Sequence, residues 1–385
     1  MTSFQNNAEF DLSEDQVRMR DSVLHLLRET LPATKVAELD DASEFPFDAY
    51  AALAKAGWLG LPHDEAYGGA NGSYMDLAVL IEAIAYHNAQ MASAYLTTVV
   101  YGGMQLRFGA TESLKAVLLP KLISGDLRLA FCLTEPDTGS DASAIRTRAV
   151  ADGDDYVIDG QKVYITCAHV ADYLVVATKT APDQRHRGIT IFLVDAKAKG
   201  VTIRPLRGLG RKMIHTNEVF FDQVRVPATH ILGGLNNGWQ NIMRGLNVER
   251  LCLSAAASGN SHRIIDTALG FARQRVQFGK PITEYQAISH KLADMRISAE
   301  ISRVMTYRLA SLMDKGIAPG TAAAITKIYA TEGNSRCADM GIQVMGGAGL
   351  MMSSEMQMYF RDSRIGTIGG GTSEVLRNVI AKSMI

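Results

Sequence analysis

Apolar residues recur at helical spacing through the first third of the chain. Val17, Leu24 and Leu27 fall on one face of a helix with a period of about 3.6 residues. Ser13 and Gln16 have the spacing of a capping box, which indicates a helix start at this point. Further helices are predicted over residues 47–56, 75–88, 91–107 and 113–122.

The period of the pattern changes after Gly125. Residues 156–166 alternate around Asp159-Gly160, a dipeptide typical of a tight hairpin turn. The helical period returns from about residue 239 to residue 364. Further strands are predicted over residues 173–180, 188–195, 201–206 and 217–226, which suits a small antiparallel β domain. We therefore predict an α+β fold in α–β–α order, with domains at 1–126, 127–235 and 236–385.

Composition and charge restrict the classes of function. The 385 residues are 47% hydrophobic and 21% charged, with a formal net charge of −1. No extended basic surface for nucleic acid or anionic lipid is therefore predicted. No apolar run reaches the roughly 18–20 residues of a membrane helix, and residues 1–10 lack the apolar core of a signal peptide. Four widely spaced cysteines form no CxxC pair, so we expect no metal site and a cytoplasmic protein with reduced thiols.

Four motifs stand out from this pattern. Residues 134–141 are TEPDTGSD, and residues 160–166 are GQKVYIT. Residues 275–282 are RVQFGKPI, followed by Gln286, and residues 343–349 are QVMGGAG. Each is weak evidence alone, because such stretches also form polar turns, half-buried strands and helix ends. Together, in this order and in an α–β–α chain, they resemble the acyl-CoA dehydrogenase family over nearly the whole length.

The resemblance implies a three-part fold and a flavin cofactor. The expected architecture is an N-terminal helical domain, a middle antiparallel β-barrel or sandwich, and a C-terminal four-helix bundle. Family members bind FAD non-covalently at the domain junction, commonly as tetramers or dimers, so a homo-oligomer is expected. They desaturate acyl thioesters, which implies an acyl-CoA substrate and an electron-transferring flavoprotein as partner. Neither nucleic acid nor membrane is an expected partner.

The resemblance also assigns residues to the cofactor. The segment 131–140 would wrap the isoalloxazine ring, with Thr134 near its reactive edge, and Tyr164 stands where the family often has tryptophan. Arg275 and Gln286 would contact the pyrophosphate and adenosine portion, of the same or a neighbouring subunit, and a guanidinium suits phosphate because it offers a planar fork of donors. The predicted cofactor-binding residues are Phe131, Leu133, Thr134, Gly139, Ser140, Tyr164, Ile165, Thr166, Arg275, Phe278, Gln286, Gln343, Gly346, Gly347, Thr372, Ser373 and Glu374.

The catalytic base departs from the family's common pattern. Desaturation needs a base for the α proton, donors for the enolate-like oxygen and an acceptor for the β hydride. Many members carry the base as a glutamate directly before a Gly–Thr pair, where this chain has Gly370. A subset of the family places it on an earlier helix, in an x-x-E-R-L pattern that residues 247–251 match. Glu249 is therefore the predicted base, in an apolar pocket that raises its pKa, and Glu135 is the rival.

The thioester contacts follow from the same comparison. Gly370 keeps its N–H, so a contact with the thioester oxygen can survive without a side chain. Asn247 stands where the family often has an acidic residue that holds pantetheine, and an amide can still donate and accept. The predicted substrate-binding residues are Ser140, Asn247, Arg250, Gly370 and Gly371.

The main prediction is an FAD-dependent acyl-CoA dehydrogenase that forms a trans-2-enoyl-CoA. One alternative is a dehydrogenase of carrier-protein-bound acyl or aminoacyl thioesters, and another is an enoyl-CoA reductase on the same scaffold. A flavin monooxygenase or oxidase and a non-catalytic binding flavoprotein are further alternatives. The near-neutral charge disfavours a non-catalytic flavoprotein that binds nucleic acid. The sequence leaves open the chain length and branching of the acyl group, the direction of reaction and the choice between dimer and tetramer.

Overall fold

The computed structural model describes residues 12–385, so the polar segment 1–10 lies outside the described residues. The α-helices of this part are α1 (Glu14–Thr30), α2 (Ala33–Ala42), α3 (Phe47–Lys55), α4 (Tyr74–His87), α5 (Ala89–Tyr95), α6 (Gly103–Gly109), α7 (Glu112–Ile123), α8 (Gly238–Gln274), α9 (Gln286–Asp314), α10 (Gly320–Met345), α11 (Gly347–Leu350), α12 (Glu355–Ser363) and α13 (Ser373–Met384). The strands are β1 (Leu129–Cys132), β2 (Arg148–Asp152), β3 (Asp155–Thr166), β4 (Tyr173–Lys179), β5 (Ile189–Asp195), β6 (Val201–Leu206), β7 (Thr216–Pro227), β8 (Ile231–Leu232), β9 (Val276–Gln277) and β10 (Lys280–Pro281).

The capping box predicted at the start of α1 is confirmed. Ser13 Oγ accepts from the Gln16 N–H at 3.2 Å, and Gln16 Oε1 accepts from the Ser13 N–H at 3.0 Å. The apolar face of the helix, with Val23, Leu24 and Leu27, is buried. The local signal and the hydrophobic period therefore agree with the packing.

The helix predicted over 91–107 is not one continuous α-helix. Between α5 and α6 the chain forms a π-helical segment, Leu96–Gly102. Tight packing accompanies the change, because a Cβ at Gly102 would lie 2.4 Å from Leu129 Cβ at the start of β1. π-Helical turns are uncommon and frequently accompany functional sites.

The strands form a mixed sheet in the order β6-β7-β3-β2-β4-β5-β8, with β1 paired to β4. Most neighbours are antiparallel, as predicted. However, β1 runs parallel to β4, and β2 meets β4 in parallel at Arg148 and Lys179. Alternation of apolar residues does not reveal this, because both strand directions have a period of two. β1 pairs with β4 alone and contacts the π-helical segment Leu96–Gly102.

The hairpin turn predicted at Asp159-Gly160 is wrong, because both residues lie within β3. The pairing of β3 with β7 shifts between Ile158 and Gly160, which marks a β-bulge. Gly160 has φ +148°, and a Cβ there would lie 2.7 Å from Thr147 Cα, so glycine permits a close approach of two strands. The hairpin turn that joins β2 to β3 instead contains Gly153, with φ +64°.

The long helix α8 is the centre of the helical part. It packs against α4, α9 and α10, and α10 also contacts α12 and α13. The predicted domain boundaries fall between elements. The boundary at 126/127 lies between α7 and β1, and the boundary at 235/236 lies between β8 and α8. The division into units at those boundaries stays a prediction. Among residues 12–385, none of the helices combines the length and hydropathy needed to cross a membrane.

Candidate active site

Glu249 lies on the face of α8 that borders a pocket. Ile242, Gly245 and Leu246 precede it on that face at helical spacing. The opposite wall of the pocket comes from Tyr101, Gln105 and Phe131, which follow from the π-helical segment, α6 and β1. The space among these residues is about 190 Å³ when its opening to solvent is included, and it is too narrow to admit a water molecule.

Burial and charge act in opposite directions on Glu249. Burial raises the pKa of its carboxyl to about 7, while Arg250 and Lys327 act to lower it. Within the described part of the chain, the carboxyl accepts no hydrogen bond from a protein donor. Glu249 is therefore a carboxyl group that can gain or lose a proton near neutral pH.

Gly370 lies directly against this carboxyl. A Cβ at Gly370 would be 3.4 Å from Glu249 Oε1 and 2.6 Å from Leu253 Cδ1, and its φ of +66° suits glycine. A glutamate at position 370 would therefore begin beside the Glu249 carboxyl, and Leu253 would have to move to admit it. The two positions that the family uses for its base thus converge in space, and this chain fills one and leaves the other empty.

Two cations hold the loop that contains Gly370. Arg250 donates from Nε to the Gly370 carbonyl at 3.3 Å and from Nη1 to Asn247 Oδ1 at 3.5 Å. Lys327 of α10 donates to the Gly371 carbonyl at 2.8 Å. Lys327 has no exposed surface, and burial lowers its pKa to about 8 although Glu249 acts to raise it. The carboxyl therefore has positive charge on its loop side.

Glu135, the rival base, has its carboxylate occupied by the fold. It accepts from Lys162 Nζ at 2.8 Å, from the Thr147 N–H at 2.9 Å and from the Arg146 N–H at 2.6 Å. Burial alone would raise its pKa, but Lys162 and these hydrogen bonds hold the pKa below its usual range. A carboxylate that is satisfied in this way is a weak proton acceptor.

The predicted flavin segment is tied to β3. Lys162 Nζ donates to the Leu133 carbonyl at 3.0 Å, and the Val163 N–H donates to the Thr134 carbonyl at 3.0 Å. Tyr164 is 66% exposed and has φ +61°, an uncommon conformation for a residue with a side chain. Next to it along β3, Ile165 is buried and Thr166 is half-buried. In the 134–141 motif, Gly139 and Ser140 are exposed. The exposed ring of Tyr164 therefore lies on the same strand as the residues that bond to the backbone of 133 and 134.

Other predicted cofactor residues lie far from Glu249 in the same chain. Arg275 and Gln286 are exposed beyond the end of α8, and Phe278 there is 94% exposed. Gln274 lies 25 positions after Glu249 on the same helix, which corresponds to a rise of roughly 38 Å. Gln343, Gly346 and Gly347 are also exposed, at the C-terminal end of α10. One chain therefore presents two separate groups of predicted cofactor residues.

The last three predicted residues are at the start of α13. Thr372 is its N-cap, and Thr372 Oγ1 accepts from the Val375 N–H at 3.2 Å. Ser373 is buried and Glu374 is exposed. N-capping is thus observed at Thr372, and a contact of these residues with the cofactor stays a prediction.

The structure brings together Glu249, Asn247, Arg250 and the two glycines 370 and 371, and Phe131 shares their pocket. Sequence reasoning missed the supporting residue Lys327 and five lining residues, which are Tyr101, Gln105, Ile242, Gly245 and Leu246. Lys327 had a usable signal, since it is a lone cation in the apolar run 323–330. Tyr101 and Gln105 had none, because their position depends on how the π-helical segment meets α8.

Three comparisons with known proteins agree with this geometry. Family models of the acyl-CoA dehydrogenase N-terminal, middle and C-terminal domains match residues 13–126, 130–224 and 236–385. An acyl-CoA dehydrogenase of Bacillus subtilis (strain 168) is 35% identical over 376 residues, 97% of this chain and 99% of that protein. The caffeyl-CoA reductase-Etf complex subunit CarC of Acetobacterium woodii is 33% identical over 376 residues, with the same coverage of 97% and 99%.

A solved structure supports the same conclusion. Butyryl-CoA dehydrogenase from Megasphaera elsdenii has a TM-score of 0.94 at 30% identity, covering 98% of this chain and 99% of that one. The predicted three-part fold is confirmed by these matches. The domain models, the full-length relatives and the shared architecture together establish that the chain belongs to the acyl-CoA dehydrogenase family of FAD-binding oxidoreductases, which act on CH–CH groups.

Proposed function

We propose that the protein desaturates an acyl-CoA between its α and β carbons, with Glu249 as the base and an electron-transferring flavoprotein as the electron acceptor. The observation that carries the proposal is the Glu249 carboxyl itself. It lies against the Gly370 loop, and burial raises its pKa to about 7. A base works best when its pKa is close to the operating pH.

The proton leaves the α carbon for the Glu249 carboxylate. The nearby cations Arg250 and Lys327 favour the ionised form of the Glu249 carboxyl, which accepts the proton. Burial favours the protonated form, which results. The opposed effects leave the two protonation states close in free energy near neutral pH. This balance suits a group that must accept a proton and later release it.

The thioester oxygen requires donors as negative charge develops on it. In the described part of the chain, the Gly370 N–H donates to no protein acceptor, and it lies beside Glu249. The loop is held by Arg250 and Lys327 through the carbonyls of Gly370 and Gly371. We assign the Gly370 N–H as an oxyanion donor, since a pre-oriented backbone N–H costs no reorganisation during the reaction.

The residues present are suited to FAD. The tethered carbonyls of 133 and 134 and the exposed ring of Tyr164 form an edge on which a flat ring system can lie. When bound, FAD accepts the hydride that leaves the β carbon. Phe131 connects this edge to the Glu249 pocket.

The second group of cofactor residues implies a second copy of the chain. Arg275, Phe278 and Gln286 lie beyond α8, roughly 38 Å along the helix from Glu249. We therefore propose that they contact the adenosine portion of a cofactor whose ring lies in a neighbouring subunit. This requires a homo-oligomer, either a dimer or a tetramer.

The reverse reaction is the second candidate. The relative from Acetobacterium woodii is named as a subunit of a caffeyl-CoA reductase-Etf complex. A carboxyl with a pKa of about 7 can deliver a proton to the α carbon as well as remove one. The same residues would then serve an enoyl-CoA reductase, and the direction would depend on the electron partner.

The test is an anaerobic titration of the purified flavoprotein with saturated acyl-CoAs, followed by flavin absorbance. We expect wild type to be reduced and Glu249→Gln to be reduced at least 1,000-fold more slowly, on the order of the effect of removing a general base. Glu29→Gln, an exposed position on α1, is the matched control and should behave as wild type. Equal reduction in wild type and Glu249→Gln would reject Glu249 as the base.

A further inference from the structure

We propose that residues 364–371, hereafter the strap, form a gate over the Glu249 carboxyl that moves aside before an acyl thioester binds. This inference rests on the proposed function, because it takes the thioester to lie between the Gly370 N–H and the Glu249 carboxyl. It adds a conformational step to that function, with Lys327 and Arg250 as the groups that hold the gate closed.

The site around Glu249 is closed. A Cβ at Gly370 would already lie 3.4 Å from Glu249 Oε1 and 2.6 Å from Leu253 Cδ1, so the gap beside the carboxyl holds about one methyl group. A flat thioester needs a contact distance of about 3.5 Å on each of its two faces. The pocket that Glu249 lines is also too narrow to admit a water molecule. Binding of a thioester therefore requires part of the site to move.

The strap is weakly restrained along its length. Four of its eight residues are glycine, the last three in a row. It begins with one 3₁₀ turn, Arg364–Thr367, and its large apolar side chains, Ile365 and Ile368, are exposed. Among the described residues, the N–H groups of Gly370 and Gly371 donate to no protein acceptor. A segment with little burial and few backbone hydrogen bonds opens at low cost, and glycine has the conformational freedom that a hinge needs.

Both ends of the strap are fixed. Just before it, Asp362 is buried, and its Oδ1 accepts from the Arg211 N–H at 2.5 Å. Just after it, Thr372 caps α13, whose Leu376 has no exposed surface. A movement of the strap can therefore leave α12 and α13 in place.

The other elements around Glu249 are interlocked. A Cβ at Gly245 of α8 would lie 2.4 Å from Gln105 Nε2 in α6, and a Cβ at Gly102 would lie 2.4 Å from Leu129 Cβ in β1. A shift of α6, α8 or β1 would disrupt close-packed contacts of this kind. The movement therefore falls to the strap.

Two buried cations hold the strap in the closed position. Lys327 Nζ donates to the Gly371 carbonyl at 2.8 Å, and Arg250 Nε donates to the Gly370 carbonyl at 3.3 Å. Lys327 has no exposed surface and Arg250 is 9% exposed. Hydrogen bonds from charged donors are stronger than those between neutral groups, so the loss of one should favour the open strap by about tenfold.

The test is stopped-flow binding of 3-thiahexanoyl-CoA to the flavoprotein, followed by flavin absorbance. Sulfur replaces the β carbon of this ligand, so no hydride can leave and no turnover follows. If the strap must open, the observed rate rises with ligand concentration to a plateau that opening sets. Lys327→Met, which removes one of the two cations, should raise the plateau about tenfold.

A second variant should change the plateau in the opposite direction. Alanine fits at Gly369 in the closed strap, because its Cβ would lie 3.7 Å from the Ile365 carbonyl oxygen. Alanine has less conformational freedom than glycine in the open strap, so Gly369→Ala should lower the plateau about two- to fivefold. Gly270→Ala in α8, where a Cβ meets nothing within 4 Å, is the matched control and should keep the wild-type plateau.

Hydrogen exchange locates the movement. The amides of residues 369–371 should exchange faster than those of the segment 96–109 in the free flavoprotein, because the strap opens locally. Binding of 3-thiahexanoyl-CoA should slow the Gly370 amide about tenfold, the size of one net hydrogen bond. Slower exchange confined to 96–109 would place the gate at the π-helical segment and overturn the inference.

The outcomes separate the strap from the proposed function. An observed rate that stays proportional to ligand concentration, a plateau that neither Lys327→Met nor Gly369→Ala changes, or no binding of 3-thiahexanoyl-CoA would reject the strap as a gate. The expected changes of the plateau, together with a wild-type flavin that hexanoyl-CoA does not reduce, would support the gate and reject the dehydrogenation. If circular dichroism shows that Lys327→Met does not fold, Gly369→Ala compared with Gly270→Ala decides.

Discussion

The Glu249 carboxyl is adjacent to a glycine where the family often has its base. Gly370 could not carry a side chain without contact with Glu249 Oε1 and Leu253 Cδ1. The close approach is to Leu253, which would have to move, whereas the contact with Glu249 would be an ordinary one. The sequence pattern suggested this exchange of positions, and the structure places the two positions next to each other.

Glu249 should make both activity and stability depend on pH. Its folded pKa of about 7 is above the value of about 4.3 in an unfolded chain. The stability contribution is complete below pH 4 and is lost as pH rises through 7, on the order of 3 kcal/mol in total. We expect the free energy of unfolding of the wild-type protein to fall relative to Glu249→Gln between pH 5 and 8, roughly across this window. Urea unfolding at several pH values measures it, and parallel curves for the two proteins would contradict the assignment.

The rate of flavin reduction should rise with pH where the stability falls, because the proposed base, Glu249, must be ionised to accept a proton. We expect the rate to rise with pH along a limb with an apparent pKa near 7. Lys327→Met removes a positive charge and the bond to the Gly371 carbonyl. The limb should then move to higher pH by roughly one unit. Stopped-flow reduction across pH measures the shift, and Lys327→Arg should keep the limb near its wild-type position. An unmoved limb in Lys327→Met would leave Lys327 with a purely structural role.

The junction between the π-helical segment and β1 connects packing with the site. Gly102 packs on Leu129, and two residues later Phe131 lines the pocket. Gly102→Ala would place a Cβ 2.4 Å from Leu129 Cβ, so we expect a loss of about 1–3 kcal/mol in the free energy of unfolding. Weaker flavin binding should accompany it, because β1 must shift.

The matched control for that change is Gly270→Ala in α8. A Cβ there meets nothing within 4 Å, so helix propensity should raise the free energy of unfolding by up to about 1 kcal/mol. Urea unfolding and flavin retention on gel filtration measure both variants. Equal effects of the two substitutions would show that the contact with Leu129 is unimportant.

At the level of elements, the sequence predicted what depends on local pattern. The strand runs and the capping box agree with β4 to β7 and α1, because periodicity and caps are local properties. The turn predicted at Asp159-Gly160 was wrong, since glycine there permits a close contact with Thr147, the residue before β2. The π-helical segment within 91–107 was not predicted either, and its packing on Leu129 is a non-local contact.

The residues of the candidate site also divide into those that the sequence pattern predicted and those that only packing brings there. Glu249 and Gly370 were found because a family pattern connects them, whereas Gln105 enters the pocket only through the packing of α6 on Gly245. A glutamine between Met104 and Leu106 looks like an ordinary helix residue in the sequence. Its place in the pocket depends on that packing, which only the three-dimensional arrangement reveals.

At the scale of the whole molecule, the proposed base and one group of predicted cofactor residues lie toward opposite ends of α8. The Glu249 pocket lies near the start of α8, and Arg275 lies just beyond its end. α8 is a single helix between them, so the two groups cannot approach one another within one chain. If both groups contact FAD, each complete site combines two chains.

Mixed oligomers test this directly. Glu249→Gln removes the proposed base but keeps Arg275, whereas Arg275→Ala removes the proposed cofactor contact but keeps Glu249. Each variant alone should therefore lose most of its activity. After the two are unfolded and refolded together, some sites should combine a wild-type Glu249 from one chain with a wild-type Arg275 from the other. We expect up to about one quarter of the wild-type flavin reduction rate to return, as for random pairing in a dimer. A mixture no more active than its separate components would show that Arg275 serves the site of its own chain or none, and the shared site would be rejected.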